Sequence, residues 1–89
     1  MEIYESDKRG KRLVALFEDG TTTYFGLEGG MTYIDHGNKE IRKNYLARHK
    51  VNEDWDDYTS AGSLSRYILW GSSTDIHKNI RSFKKRFNL

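Results

Sequence analysis

Residues 45–57, YLARHKVNEDWDD, set Arg48 beside His49 and gather Glu53, Asp54, Asp56 and Asp57 around Trp55. Histidine with carboxylates can shuttle protons or hold a metal, and arginine with carboxylates forms paired, charge-assisted hydrogen bonds. Three chemistries therefore compete for one stretch: a general acid–base pair, a metal centre and a structural clamp. Glu53 follows His49 by four residues, and Asp56 and Asp57 stand where the chain turns back, so an inward Arg48 meets carboxylates. A buried guanidinium left unpaired costs several kcal/mol, whereas a planar fork on a carboxylate satisfies both groups. A clamp of Arg48, His49, Glu53 and Asp56 accordingly ranks first. A metal site built from His36, His49 and Glu53 matches no standard ligand spacing, and no metal or cofactor is expected. No nucleophile elbow, phosphate loop or strand-borne carboxylate pair is present, so a small enzyme using Arg48, His49 and Glu53 ranks last.

The elements that must position these residues follow from periodicity. EIYES is a short β-prone piece. In KRLVALFEDGTTTYFG, Leu13, Ala15 and Phe17 alternate with Val14 and Leu16, Asp19-Gly20 is a hairpin turn, and a threonine-rich strand returns over Thr21–Phe25. These pieces predict a three-stranded antiparallel β-meander over residues 1–26. The stretch GLEGGMTYIDHGN carries four glycines and no period, so residues 27–37 read as a glycine-rich loop. Helical spacing starts after Asn38, an N-cap, and runs to Lys50, with Ile41, Tyr45, Arg48 and His49 on one face and Lys39, Lys43 and Lys50 opposite. SLSRYILW is apolar almost all round and predicts the most buried helix, closed by Gly71, with Arg66 stacked on Trp70 one turn away. A last helix capped by Ser73 shows Ile76, Ile80, Phe83 and Phe87 as one stripe laid over the sheet, with Lys78, Arg81 and Lys85 opposite it. The expectation is an α+β fold: a three-stranded antiparallel meander followed by three α-helices packed on it, in one domain over residues 1–89.

Composition narrows the function classes. The chain has no cysteine, which excludes disulfides and thiolate metal sites. No apolar run approaches the roughly 18 residues of a membrane span, and the start lacks the apolar region of a signal peptide, so an intracellular, non-membrane protein is expected. The formal charge of +2 is unevenly spread: residues 1–37 carry four basic and seven acidic side chains, residues 38–89 eleven and six. That asymmetry points to a basic helical face rather than a basic protein.

The order of residues also resembles a family of small uncharacterised proteins of large double-stranded DNA viruses, including those of algae and amoebae. Thr22, Phe25, Gly26, Arg42, Tyr45, Arg48, His49, Glu53, Trp55, Gly62, Ser65, Arg66, Leu69 and Trp70 fall on that family's pattern, which covers most of the chain from about residue 2. Leu64 replaces an aromatic before Ser65-Arg66, and GSST replaces a loop containing proline after Leu69-Trp70. The resemblance implies a viral context, in host cytoplasm, nucleus or virion, and nothing about catalysis.

Together these features rank a small non-enzymatic binding protein first. Its expected partner is nucleic acid, met through phosphate contacts from Lys39, Lys43, Lys50, Lys78, Arg81 and Lys85 without base preference. The alternative is an interaction or virion component that binds a viral or host protein through the TTTYFG edge or the apolar ILW segment. Tyr4, Tyr24, Tyr33 and Tyr58 have no assigned place; two of them on one exposed face beside lysines would offer single-stranded nucleic acid a stacking surface.

Overall fold

The computed structural model describes residues 1–89. Strands β1 (Glu2–Glu5), β2 (Lys11–Leu16) and β3 (Thr22–Leu27) form one antiparallel sheet in the order β1-β2-β3, so both outer strands are free edges. Register follows the alternation: Ile3, Ala15 and Thr23 lie in one row, and Tyr4, Val14 and Tyr24 in the next, on the opposite face. Leu13, Ala15 and Phe25 face the core. The second hairpin closes differently from a two-residue turn. Phe17 N–H donates to the Thr21 carbonyl at 2.9 Å, leaving a three-residue loop in which Gly20 alone takes a positive φ.

Residues 27–37 are not wholly loop, because Tyr33–His36 forms one helical turn, α1. A single turn is too short to show a period, yet its start signal is in the sequence: the Asp35 carboxylate, three residues after Thr32, accepts from the Thr32 N–H and hydroxyl, both at 2.8 Å. Helix α2 spans Lys39–Lys50 and starts as expected, with Asn38 Oδ1 accepting from the N–H groups of Glu40 and Ile41. Helix α3 (Ala61–Leu64), capped by Ser60, continues without a break into a π-helical turn over Ser65–Leu69, where Trp70 N–H donates to the Ser65 carbonyl at 2.9 Å. Helix α4 (Ile76–Phe87) is capped by Asp75 and not by Ser73; Asp75 Oδ1 accepts from His77 and Lys78, while the Ser73 hydroxyl accepts from the Asp75 N–H. No helix is long and apolar enough to cross a membrane.

The helices cover one face of the sheet. Leu64, Ile68 and Leu69 are almost wholly buried, as expected of the central helix, and join Leu13, Ala15, Phe25, Tyr33, Tyr45, Trp70 and Phe83 in one core. The α4 stripe docks chiefly on the π turn rather than on the sheet: Phe83 is buried, Phe87 meets Tyr67 and Tyr58, and Ile76 and Ile80 are half-buried at the side of the core. Gly71 does not end the central helix as a left-handed cap. It is glycine because a Cβ there would lie 2.6 Å from Asn79 Cγ, and the buried Asn79 amide needs that space. Asn79 Nδ2 donates to the carbonyls of Ile68 (2.9 Å) and Ser73 (2.7 Å), and its Oδ1 accepts from Ser73 N–H (3.2 Å). One polar side chain thus answers the Ile68 carbonyl at the end of the wide turn and both backbone groups of Ser73 in the loop beyond it.

Candidate functional site

The Arg48 clamp does not form. Arg48 is exposed and in no ion pair, and Asp56 is exposed on the loop. Of the four predicted members the structure brings together two: His49 Nδ1 and Glu53 Oε1 stand 3.0 Å apart. Glu53 lies across Gly62, where a Cβ would fall 2.7 Å from its Oε2. The inward face of α2 runs through Arg42, Tyr45, Leu46 and His49, one residue away from the expected face, and leaves Ile41 exposed. Arginine carries an apolar stem that packs as well as an aliphatic side chain while its head reaches polar groups, and this turns the helix. The tie between arginine and carboxylate exists elsewhere. Arg12 Nη1 and Nη2 donate to Asp35 at 2.7 and 2.9 Å, joining β2 to α1. The Arg12 fork, reinforced by the Thr32 bonds and opposed by partial burial, holds the Asp35 carboxyl well below the usual carboxylate range.

An aromatic column runs from α1 to α2. Tyr45 stacks on Trp70 with ring centres 4.0 Å apart, His49 stacks on Tyr45 at 4.1 Å, and His36 meets Trp70 edge-on. The two histidines therefore sit at opposite ends of a Trp70–Tyr45 pair, and no three His, Asp or Glu side chains gather into a metal-binding group. Burial, aided by the Glu53 charge, pushes the Tyr45 phenol up to about 12.

Arg66 does not stack on Trp70. Its guanidinium lies 5.0 Å from the Trp55 ring and 4.7 Å from the Tyr67 ring, and Arg86 lies 4.4 Å from the same Tyr67 ring. Arg42 reaches in from α2, where its Nε donates to the carbonyls of Trp70 (3.1 Å) and Gly71 (2.9 Å). These three arginines line a hollow of about 500 Å³ together with Lys85. The hollow opens into a shallower groove of about 610 Å³ that shares Ser72, Asn79, Ser82 and Lys85 with it and adds Lys78 and Arg81. No aspartate or glutamate lines either part. The electrostatic result is visible at Arg66, which burial and the charges of Arg42 and Arg86 push below the ordinary arginine value. Its Nε is buried with no hydrogen-bond acceptor.

Of the six cations expected to meet phosphate, Lys78, Arg81 and Lys85 line this groove; Lys39, Lys43 and Lys50 are exposed on α2 and line neither part. Arg42, Arg66 and Arg86 come from α2, the π turn and α4, so no local spacing marks them as one site, and only the fold brings them together. The largest hollow, about 1020 Å³ beside β1 and the start of α4, has charges of both signs on an isoleucine-lined floor. Its one perturbed pair, Arg12–Asp35, is mutually satisfied. Among the unplaced tyrosines, Tyr33 is buried and Tyr58 packs on Phe17 and Phe87. Tyr4 and Tyr24 share the uncovered sheet face, where Lys8 Nζ lies 5.3 Å from the Tyr24 ring, but the Tyr24 hydroxyl is engaged by Asp7 at 2.7 Å.

Residues 1–49 match a family of unknown function, DUF5754. Over 80 residues the chain is 38% identical to an uncharacterized protein of Acanthamoeba polyphaga mimivirus, an alignment that covers 79% of this chain and 80% of that one. No solved structure gives a significant match.

Proposed function

Because the chain belongs to this uncharacterised viral domain family, DUF5754, its own surface has to supply the function, and we propose that it binds nucleic acid through the groove between α2, the π turn and α4. One observation carries the reading: six cations and three serines line a continuous depression without a single carboxylate. A protein of formal charge +2 has carboxylates enough to neutralise such a strip, and here they lie elsewhere. Lysine and arginine in a row meet successive phosphates and serine hydroxyls add neutral contacts, and because contacts to the backbone carry no sequence information the binding is independent of sequence.

Fluorescence anisotropy with single- and double-stranded probes at about 50 mM salt tests this. Neutralising about four phosphates gives a log–log salt slope of about −3 to −4. Joint charge reversal at Lys78, Arg81 and Lys85, all exposed, flattens the slope and leaves the circular-dichroism melt in place. Absence of binding by the folded protein to every probe sinks the reading.

A second reading rests on the hollow beside β1. Its isoleucine floor adjoins a free strand edge, and Met31 on its rim is 67% exposed, a surface suited to an extended segment of a viral or host protein. It gains if the probes fail to bind while a β1-edge variant such as Ile3→Lys, still folded, loses a protein partner.

A further inference from the structure

We infer that the recessed end of the groove, where Arg42, Arg66 and Arg86 converge, receives the doubly charged terminal phosphate of a nucleic-acid strand, while the shallower part beside Lys78, Arg81 and Lys85 carries the adjoining backbone. The inference rests on the nucleic-acid reading and adds to it a defined end and a preferred charge state.

Few of the guanidinium donors are occupied within the protein. The acceptors that these three guanidiniums find in the protein are the carbonyls of Trp70 and Gly71, taken by Arg42 Nε and, at a long 3.4 Å, by Arg66 Nη1. The terminal nitrogens of Arg42, the buried Nε of Arg66 and the whole head of Arg86 have no protein acceptor. Arg66 Nε is the one buried donor among them, the kind that a folded protein matches with an acceptor, and three forks around one hollow suit an oxyanion with three free oxygens.

The three guanidiniums are also preorganised. Arg42 is pinned by two carbonyls, Arg66 lies against Trp55 and Tyr67, and Arg86 lies against the other occupied position of the Tyr67 ring. Holding them in place before binding lowers the ordering cost that flexible surface lysines carry. Burial first, and then the charges of Arg42 and Arg86, disfavour the charged form of Arg66, and an anion in the hollow offsets them.

Charge separates one kind of phosphate from another. A backbone diester carries one negative charge, whereas a phosphate monoester carries about −1.5 to −2 at pH 7. Three positive charges with no carboxylate discriminate in favour of the second. The hollow of about 500 Å³ has the size of a small-ligand site and opens on one side into the groove, so a strand end enters and its chain has somewhere to go.

The test uses the full chain and internally labelled oligonucleotides of one sequence ending in 5′-hydroxyl, 5′-phosphate or 3′-phosphate, with anisotropy read at about 50 mM salt. One phosphorylated end should bind about tenfold more tightly than the hydroxyl probe, equivalent to about 1.4 kcal/mol. Arg66→Met should reduce that preference to below about twofold, weakening the phosphorylated probe several-fold more than the hydroxyl probe. Arg86→Gln, at an exposed residue, should do the same and keeps the test decisive if Arg66→Met fails to fold. Equal affinity of the parent protein for all three ends overturns the inference and leaves the groove reading intact. Loss of binding to every oligonucleotide overturns that reading. Should a free nucleoside 5′-monophosphate raise the melting temperature while no oligonucleotide binds, the strand-end assignment falls to a free-nucleotide site.

Discussion

Asp35 accepts from both arms of Arg12 and from two groups of Thr32, so its charge is worth more folded than unfolded. A carboxyl with a depressed folded pKa contributes stability fully above its unfolded value, near pH 4, and loses that contribution as pH falls toward the folded one. Asp35→Asn should therefore cost about 1–3 kcal/mol at pH 7 and make stability less pH-dependent below about pH 4, which urea melts at pH 7, 4 and 2.5 would measure. Tyr45 behaves in the opposite direction. Its phenol is raised to about 12, so the protonated form is favoured in the fold and stability declines as pH climbs above the ordinary tyrosine value of about 10. Alkaline absorbance titration should find two tyrosines that ionise late, Tyr45 and the Asp7-bonded Tyr24. Arg48, an exposed side chain in no ion pair, should tolerate Arg48→Met within about 0.5 kcal/mol, whereas Arg42→Met should lose about 1–3 kcal/mol because two carbonyls lose their donor. Both arginines lie on α2, and choosing between them from sequence requires knowing that Ile41 faces water.

At the scale of elements, alternation and caps are enough for the strands, for α2 and for the extent of α4, since Leu13, Ala15 and Phe17 are buried at period two and Asn38 starts a helix in the way asparagine does. The cap of α4 is misread as Ser73 because Ser73 and Asp75 are both good caps and only Asp75 stands at the right distance from the stripe. The single turn α1 and the π turn have no periodic signal to give: one is too short, and the other is apolar on every side. What their residues do is set by contact, as at Gly71 and Asn79. Gly71→Ala pushes a methyl onto Asn79 and the Tyr67 carbonyl, and Asn79→Leu strands the groups bonded by the amide; each should cost about 2–4 kcal/mol in a thermal or urea melt. Ile80→Asp puts a charge at the half-buried side of α4, and a domain of this size should not stay folded with it.

For the whole molecule, the modest net charge conceals a division of labour. The sheet side holds much of the acid, in Glu2, Glu5, Asp7, Glu18, Asp19 and Glu28, while the groove holds cations alone. The candidate site is legible in sequence only for Lys78, Arg81 and Lys85, which share a helix face; the arginines come from three separate elements and no local spacing links them. Such a cluster strains the free protein. Raising sodium chloride from about 20 to 200 mM should raise the melting temperature by screening the repulsion around Arg66, and sodium phosphate at equal ionic strength should raise it further. A melt that falls with salt would show that ion pairs such as Arg12–Asp35 outweigh the groove.

The π turn also bears on how this chain can change by insertion and deletion. A hydrogen bond that reaches back five residues instead of four marks one surplus amino acid within an otherwise α-helical path. Each residue advances a helix by about 100° and 1.5 Å. Removing any one of residues 65–69 would restore α-helical winding and rotate the downstream chain by about that angle, taking Trp70 off Tyr45 and the Trp70 and Gly71 carbonyls away from Arg42. The phase of the groove is thus held by a single codon's worth of chain: loops elsewhere can lengthen or shorten, but this segment tolerates replacement and not a change in count.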